Sequence, residues 1–199
     1  MKNLFIFDFD DTLAHSEIPV YVKMKNGETI KLTSHEFAKH QLSPGDFYDF
    51  SEFNKLIKSA TPIKRYIDQL KQSLSNRQIK TTILTARALA YPVRYWLKTV
   101  AGVDVYVVAV EGSNPALKAN WIENQVKKGY TNIKFVDDSQ KNLDAVAERL
   151  APYDVNLELI NSLTNQETLA EDRCKRIADR RYDKPSAYKS GAIVRCRKG

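Results

Sequence analysis

The chain has 199 residues, 43% of them hydrophobic and 28% charged, enough apolar material for one sizeable core and unlike a fibrous or disordered composition. No apolar run approaches the roughly 20 residues that span a bilayer, and no signal-peptide pattern opens the chain, so no membrane contact and a cytoplasmic location are expected. Both cysteines, Cys174 and Cys196, sit near the C-terminus, which argues against a disulfide framework. The formal net charge is +7, and ten basic residues against four acids fall in Glu171–Gly199; this basic segment reads either as a polyanion contact or as a solvated end.

Leu4 to Phe9 is a short apolar run that ends in acids, the pattern of a buried parallel strand whose C-terminal end carries chemistry. Val20–Lys25 and Glu28–Thr33 flank Asn26-Gly27, which predicts a β-hairpin with a type I′ turn, both central residues at positive φ. Ser34 is read as the N-cap of a short helix through His40. A turn at Ser43-Pro44-Gly45-Asp46 precedes the aromatic cluster Phe47, Tyr48, Phe50 and Phe53, open to two readings, a stacking surface for a base or a small local core. His15, His35 and His40 are too scattered for a metal site and read as surface residues.

Ile63, Ile67, Leu70 and Leu74 recur at helical spacing within Thr61–Leu74. From there strands and helices alternate: strand-like runs at Ile79–Thr85, Val103–Val110, Ile133–Asp137 and Val155–Ile160, with helix-like runs at Tyr91–Val100, Pro115–Lys128 and Gln140–Leu150 between them. Such alternation predicts an α/β fold with a Rossmann-like parallel sheet between two helical layers. A further helix is expected over Gln166–Arg180, and a poorly ordered end beyond Tyr182.

Chemistry concentrates in Phe7-Asp8-Phe9-Asp10-Asp11-Thr12-Leu13, at the end of the first strand. Like charges resist joint ionisation, so an acid cluster of this density points to a divalent cation that neutralises it, with Mg²⁺ the hard ion suited to carboxylates and phosphate. Phe135-Val136-Asp137-Asp138-Ser139 ends another strand, so both acid groups fall on one sheet edge, where ligands of open α/β sheets bind.

Together these motifs resemble the haloacid dehalogenase (HAD) superfamily of phosphotransferases. Asp8-x-Asp10-x-Thr12 is similar to the first family motif, Thr85 in Ile83-Leu84-Thr85-Ala86-Arg87 to the second, Lys118 to the third and Asp137-Asp138 to the fourth, in family order over about 140 residues. The resemblance implies an Mg²⁺-dependent phosphatase in which Asp8 is the nucleophile and Asp10 the general acid and base. Thr85 and Lys118 would hold phosphoryl oxygens, Lys118 also restraining Asp8. Asp8, the Asp10 backbone carbonyl, Asp137 and Asp138 would surround the metal, with the direct ligand of the last pair left open. Thr12 would fix the loop and Asp11, Ala86 and Arg87 would lie on the substrate side, Arg87 either touching phosphate or capping the strand-end loop. Asn142 is placed near the metal or on a helix surface.

The implied organisation is a HAD-like core over residues 1–170, a small cap or flap inserted at 13–60, and a basic extension, partly disordered, at 171–199. A small cap leaves the site open, and the series loosely resembles the 3′-phosphatase domains of polynucleotide kinases and RNA-repair phosphatases. A nucleotide or nucleic-acid terminal phosphate is therefore the expected substrate. A nucleic-acid-binding or assembly protein with the HAD body as scaffold, and a small-metabolite phosphatase, are the alternatives.

Overall fold

The computed structural model describes residues 2–37, 39–164 and 167–169. Its centre is a six-stranded sheet built from β1 (Lys2–Phe7), β7 (Ile79–Thr85), β8 (Tyr106–Ala109), β9 (Tyr130–Asp137), β10 (Asn156–Asn161) and β11 (Glu167–Leu169), in the order β11-β10-β9-β1-β7-β8. The first five in chain order are mutually parallel, and β11 pairs antiparallel with β10. The expected α/β architecture with a parallel sheet is therefore present, in an arrangement compatible with a Rossmann-like layering.

Helices α2 (Lys64–Ser75) and α3 (Tyr91–Trp96) bury Tyr66, Ile67, Leu70, Val93 and Trp96 against Phe7, Ile83, Val136 and Ile160 on one face. On the other, α4 (Pro115–Lys127) and α5 (Gln140–Leu150) bury Ile122, Leu143 and Val146 against Leu4, Ile6, Leu84 and Phe135. Alternate strand residues thus face opposite cores, each strand being buried on both sides, which is why these runs read as continuously apolar. α3 runs into a π-helical turn at Leu97–Ala101, which Gly102 ends at φ 70°, a left-handed cap that costs glycine little.

The chain between β1 and α2 forms two small sheets. β2 (Ala14–Ser16) pairs with β6 (Ala60–Pro62) at the base of an insertion. The insertion itself carries β3 (Val20–Lys23), β4 (Thr29–Leu32) and β5 (Phe47–Asp49) in the order β4-β3-β5, with the short helix α1 (Ser34–Phe37) and a 3₁₀ turn at Ser51–Asn54. The hairpin is where the sequence predicts it, but its turn is not type I′: Gly27 has φ 89° and Asn26 is not at positive φ. The loop is longer than two residues, closed by Met24 N–H to Glu28 O and Gly27 N–H to Met24 O, so one left-handed residue suffices.

Three further expectations are corrected. Thr33, and not Ser34, caps α1: its hydroxyl accepts from Glu36 N–H while the Glu36 carboxylate accepts from Thr33 N–H, a reciprocal box at threonine-x-x-glutamate. Thr61 belongs to β6, and the helix expected from there begins at Lys64. The helix expected over Gln166–Arg180 gives way at its start to strand β11, where the open edge of β10 offers backbone partners that local helical periodicity does not register. The rest of that stretch, and the basic segment Glu171–Gly199, lie outside the described residues.

The aromatic residues of the insertion pack on one another, Phe37 edge-on to Tyr48 and Phe50 at 4.9 and 5.6 Å, and Phe50 against Phe53 at 6.2 Å. Phe37, Tyr48 and Phe53 are half-buried in this cluster, while Phe50 and Phe47 are 43% and 60% exposed. Among the described residues no helix is long and apolar enough to cross a membrane.

Candidate active site

β1, β9 and β10 are in register at their carboxyl ends: Phe7 lies opposite Val136, and Asp137 opposite Asn161. The chain passes from β8 on one side of β1 to β9 on the other, so the crevice between β1 and β9 is the topological switch point, the usual ligand site of an open α/β sheet. Asp8 and Asp137 are the residues at its two lips, joined by Asp8 N–H to Val136 O at 2.8 Å.

Beyond Asp8 the chain turns tightly. Phe9 O accepts from the N–H groups of Leu13 and Ala14, at 2.9 and 3.1 Å, and Asp11 sits at φ 54°, a left-handed position that aspartate tolerates better than most residues. The turn brings Asp8, Asp10 and Thr12 toward the crevice and sends Asp11 outward, where its carboxylate meets the exposed His15 at 2.7 Å.

Lys118 closes the site from the opposite face. Asn114 caps α4 by accepting from Ala116 N–H, and Pro115 occupies the first turn, where its missing N–H costs no hydrogen bond. One turn in, Lys118 is 3% exposed and donates to Asp8 Oδ1 at 2.6 Å and to Asp137 Oδ2 at 2.7 Å. Carboxylate oxygens of Asp8, Asp137 and Asp138 lie within 4.8 Å of one another. Burial pushes the Asp8 carboxyl well above its usual range; Lys118 opposes this and the neighbouring carboxylates add to it. Asp138 is pushed up to about 7, by burial first and by Asp137 next. Burial draws the Lys118 ammonium down, but Asp8 and Asp137 outweigh it and the net shift is upward. Three carboxylates thus face one ammonium, so that with all three ionised two negative charges lack a partner in a site of hard oxygen donors. A divalent cation fits that balance and that donor set.

Asp10 has a separate partner. Arg87 Nε and Nη2 clasp its carboxylate at 2.9 and 2.6 Å, and Ser16 Oγ donates to it at 2.6 Å. The guanidinium is 5.3 Å from the Phe9 ring and 5.0 Å from the Phe53 ring, and Nη1 donates to Phe53 O at 3.2 Å. Arg87, 4% exposed, therefore ties the insertion to Asp10 and spends its donors there. Thr85, fully buried at the end of β7, accepts from Arg87 N–H at 3.3 Å, and Ala86 O accepts from Gly112 N–H at 2.9 Å while its side chain faces outward. Asn142 donates to both oxygens of Asp137, at 3.0 and 3.1 Å, and Ser139 N–H donates to Asp137 Oδ1 at 2.8 Å.

The geometry thus gathers Asp8, Lys118, Asp137 and Asp138 into one cluster, with Asp10 and Arg87 paired beside it, Thr12 buried below and Asp11 turned to His15. Phe53, read from the sequence as part of an aromatic cluster, instead holds Arg87, and three residues escaped that reading: Ser16, which holds Asp10, and Asn161 and Ser162 at the end of β10. For the last two a signal was present, since a polar pair follows that strand as Asp137-Asp138 follows its neighbour. No family model, curated protein or solved structure matches the chain.

Proposed function

We propose that the chain is a divalent-metal-dependent phosphomonoester hydrolase of the HAD type, acting through an aspartyl-phosphate on Asp8. The observation that carries the reading is the buried Lys118 bridging Asp8 and Asp137, within a carboxylate cluster that also takes in Asp138. A surface lysine would gain nothing from that position, whereas a phosphoryl site needs a nucleophilic carboxylate held by a cation beside a metal pocket.

Asp8, Asp137, Asp138 and the Asp10 backbone carbonyl would hold the metal, Mg²⁺ being the hard ion suited to them; when bound it neutralises charge on the transferring phosphoryl group. In the first half-reaction a carboxylate oxygen of Asp8 attacks phosphorus, the ester P–O bond breaks, and the leaving oxygen takes the proton of the Asp10 carboxyl group. In the second, the Asp10 carboxylate takes a proton from water, whose oxygen attacks phosphorus; the aspartyl P–O bond breaks, freeing inorganic phosphate and the Asp8 carboxylate. Lys118 keeps Asp8 oriented and is near enough to follow charge onto the phosphoryl oxygens, and Thr85 supplies a hydroxyl at the same edge. Arg87 and Ser16 keep the Asp10 side chain in one place through both halves.

The substrate class we assign is a nucleotide or a nucleic-acid terminal phosphate, supported by the small insertion and by the basic segment Glu171–Gly199. Hydrolysis of p-nitrophenyl phosphate that requires Mg²⁺ and is lost in Asp8→Asn is the expected result. Undiminished hydrolysis by Asp8→Asn would remove the proposed nucleophile. A panel of nucleotides, 3′- and 5′-phosphorylated oligonucleotides and sugar phosphates then ranks the substrate.

A further inference from the structure

The carboxylate cluster is assembled from two strand ends, with Asp8 in the loop after β1, Asp137 at the last position of β9 and Asp138 just beyond it. Their carboxylates repel one another; Lys118, bonded to Asp8 and Asp137, and Asp8 N–H on Val136 O tie the two segments near the strands, which leaves a further connection to be made where the Asp8–Thr12 loop runs on beyond β1. The end of β10 makes that connection with a pair of side chains that lie outside the acid cluster.

Asn161, 5% exposed, stands in register beside Asp137. Its amide donates to Asp138 O and to Gln140 Oε1, both at 3.2 Å, and its carbonyl oxygen accepts from the N–H groups of Leu163 and Thr164 at 3.0 and 3.1 Å. Both ends of the amide are therefore committed, and its orientation is fixed by the donors and acceptors it meets. Ser162 continues the connection: its N–H donates to Asp137 O at 3.0 Å. Its hydroxyl donates to Asp11 O at 3.2 Å and lies 3.1 Å from Thr12 Oγ1. A hydroxyl has one proton, and Asp11 O can only accept, so Thr12 is the donor to Ser162 Oγ. The bond on Asp11 O also pins a residue held at φ 54°. From the other side Tyr66 OH donates to Ser162 O at 3.4 Å, anchoring the turn to α2.

We propose that Asn161 and Ser162 are positioning residues for the divalent cation: they brace the Asp8–Thr12 loop against the Asp137–Asp138 loop and so set the width of the metal pocket. This rests on the metal reading given above and adds residues that touch neither substrate nor metal. Partners that orient metal ligands in this way typically change metal affinity about 10- to 100-fold when removed.

The test is calorimetric titration of the full chain, freed of metal, with MgCl₂, alongside thermal melts in EDTA and in saturating Mg²⁺. Ser162→Ala, which removes the bonds to Asp11 and Thr12, is expected to weaken Mg²⁺ binding by about 10- to 100-fold. Asn161→Ala is expected to do the same, and Ser162→Thr, which retains the hydroxyl, to restore near-native affinity. Native Mg²⁺ affinity in a folded Ser162→Ala, with the melting temperature lowered equally in EDTA and Mg²⁺, would make the brace purely structural and overturn the proposal. Wild-type protein that takes up no Mg²⁺, like an Asp137→Asn control, would instead strike at the metal reading itself and the proposal with it. If Ser162→Ala does not fold, the Asn161→Ala and Ser162→Thr titrations decide.

Discussion

Replacing Lys118 by methionine removes one positive charge while leaving a side chain of similar length and volume on α4. In the native site the ammonium satisfies Asp8 and Asp137, whose side chains are 6% and 0% exposed. Without it three carboxylates confront one another with no cation among them. Breaking a buried ion pair from one side costs about 3–5 kcal/mol, because the remaining charge is left without compensation. For a domain of this size that corresponds to a fall in melting temperature of roughly 6–20 °C. The loss should shrink in saturating Mg²⁺, since the metal supplies positive charge at the same carboxylates. It should also shrink in acid: the Asp8 carboxyl is already shifted upward in the folded state, so a proton can neutralise it at little cost. Thermal melts of wild type and Lys118→Met in EDTA and in Mg²⁺, at about pH 5 and about pH 8, give the four comparisons needed. A drop that is the same in all four, or smaller than about 2 °C throughout, would refute the charge argument and leave Lys118 a packing residue.

Two further outcomes follow from the same geometry. Arg87→Lys keeps the charge but loses the fork that clasps Asp10 and the bond to Phe53 O, so it should act through the proton transfer of Asp10. Turnover of an alkyl phosphate, with a poor leaving group, should then fall by up to about 10²- to 10⁴-fold, and that of a nitrophenyl phosphate much less; an equal rise in KM for both would instead make Arg87 a phosphate ligand. Asp138, pushed up to about 7 by burial and by Asp137, makes metal-free stability depend on pH. Its folded value lies above the unfolded one, so its contribution is complete below the ordinary carboxylate range and is lost as pH rises through about 7, at most about 4 kcal/mol in all. Urea unfolding in EDTA should show that decline between about pH 4 and pH 8 in wild type and a flatter curve in Asp138→Asn; an unchanged slope in the variant would assign the titration elsewhere.

Much of this molecule is written locally. The alternation from Ile79 to Ile160 announces a parallel sheet because each strand is buried on two faces and each helix on one stripe, and both periods survive in a single sequence. The acid groups after β1 and β9 are legible for the same reason: polar residues that directly follow a buried strand emerge at the sheet's carboxyl edge. Turn and cap details were less legible, since Asn26-Gly27 fits more than one hairpin loop and either Thr33 or Ser34 has the hydroxyl that a cap requires.

Only the tertiary structure decides which distant side chains meet. Lys118 stands beside Trp121 and Ile122 on a helix that also ends in Lys127, and nothing local says that its face turns inward; the way α4 lies on the sheet brings its ammonium to Asp8, 110 residues away. Arg87 and Asp10, 77 residues apart, pair because β7 and β1 are neighbours and the insertion lays Phe53 over the guanidinium. β11 forms because β10 presents an open edge, against the helical periodicity expected there. Sequence alone thus determines which residues carry charge at the sheet edge, through patterns only a few residues long. Strand register and helix rotation determine which of those charges neutralise one another, and they are properties of the packed whole.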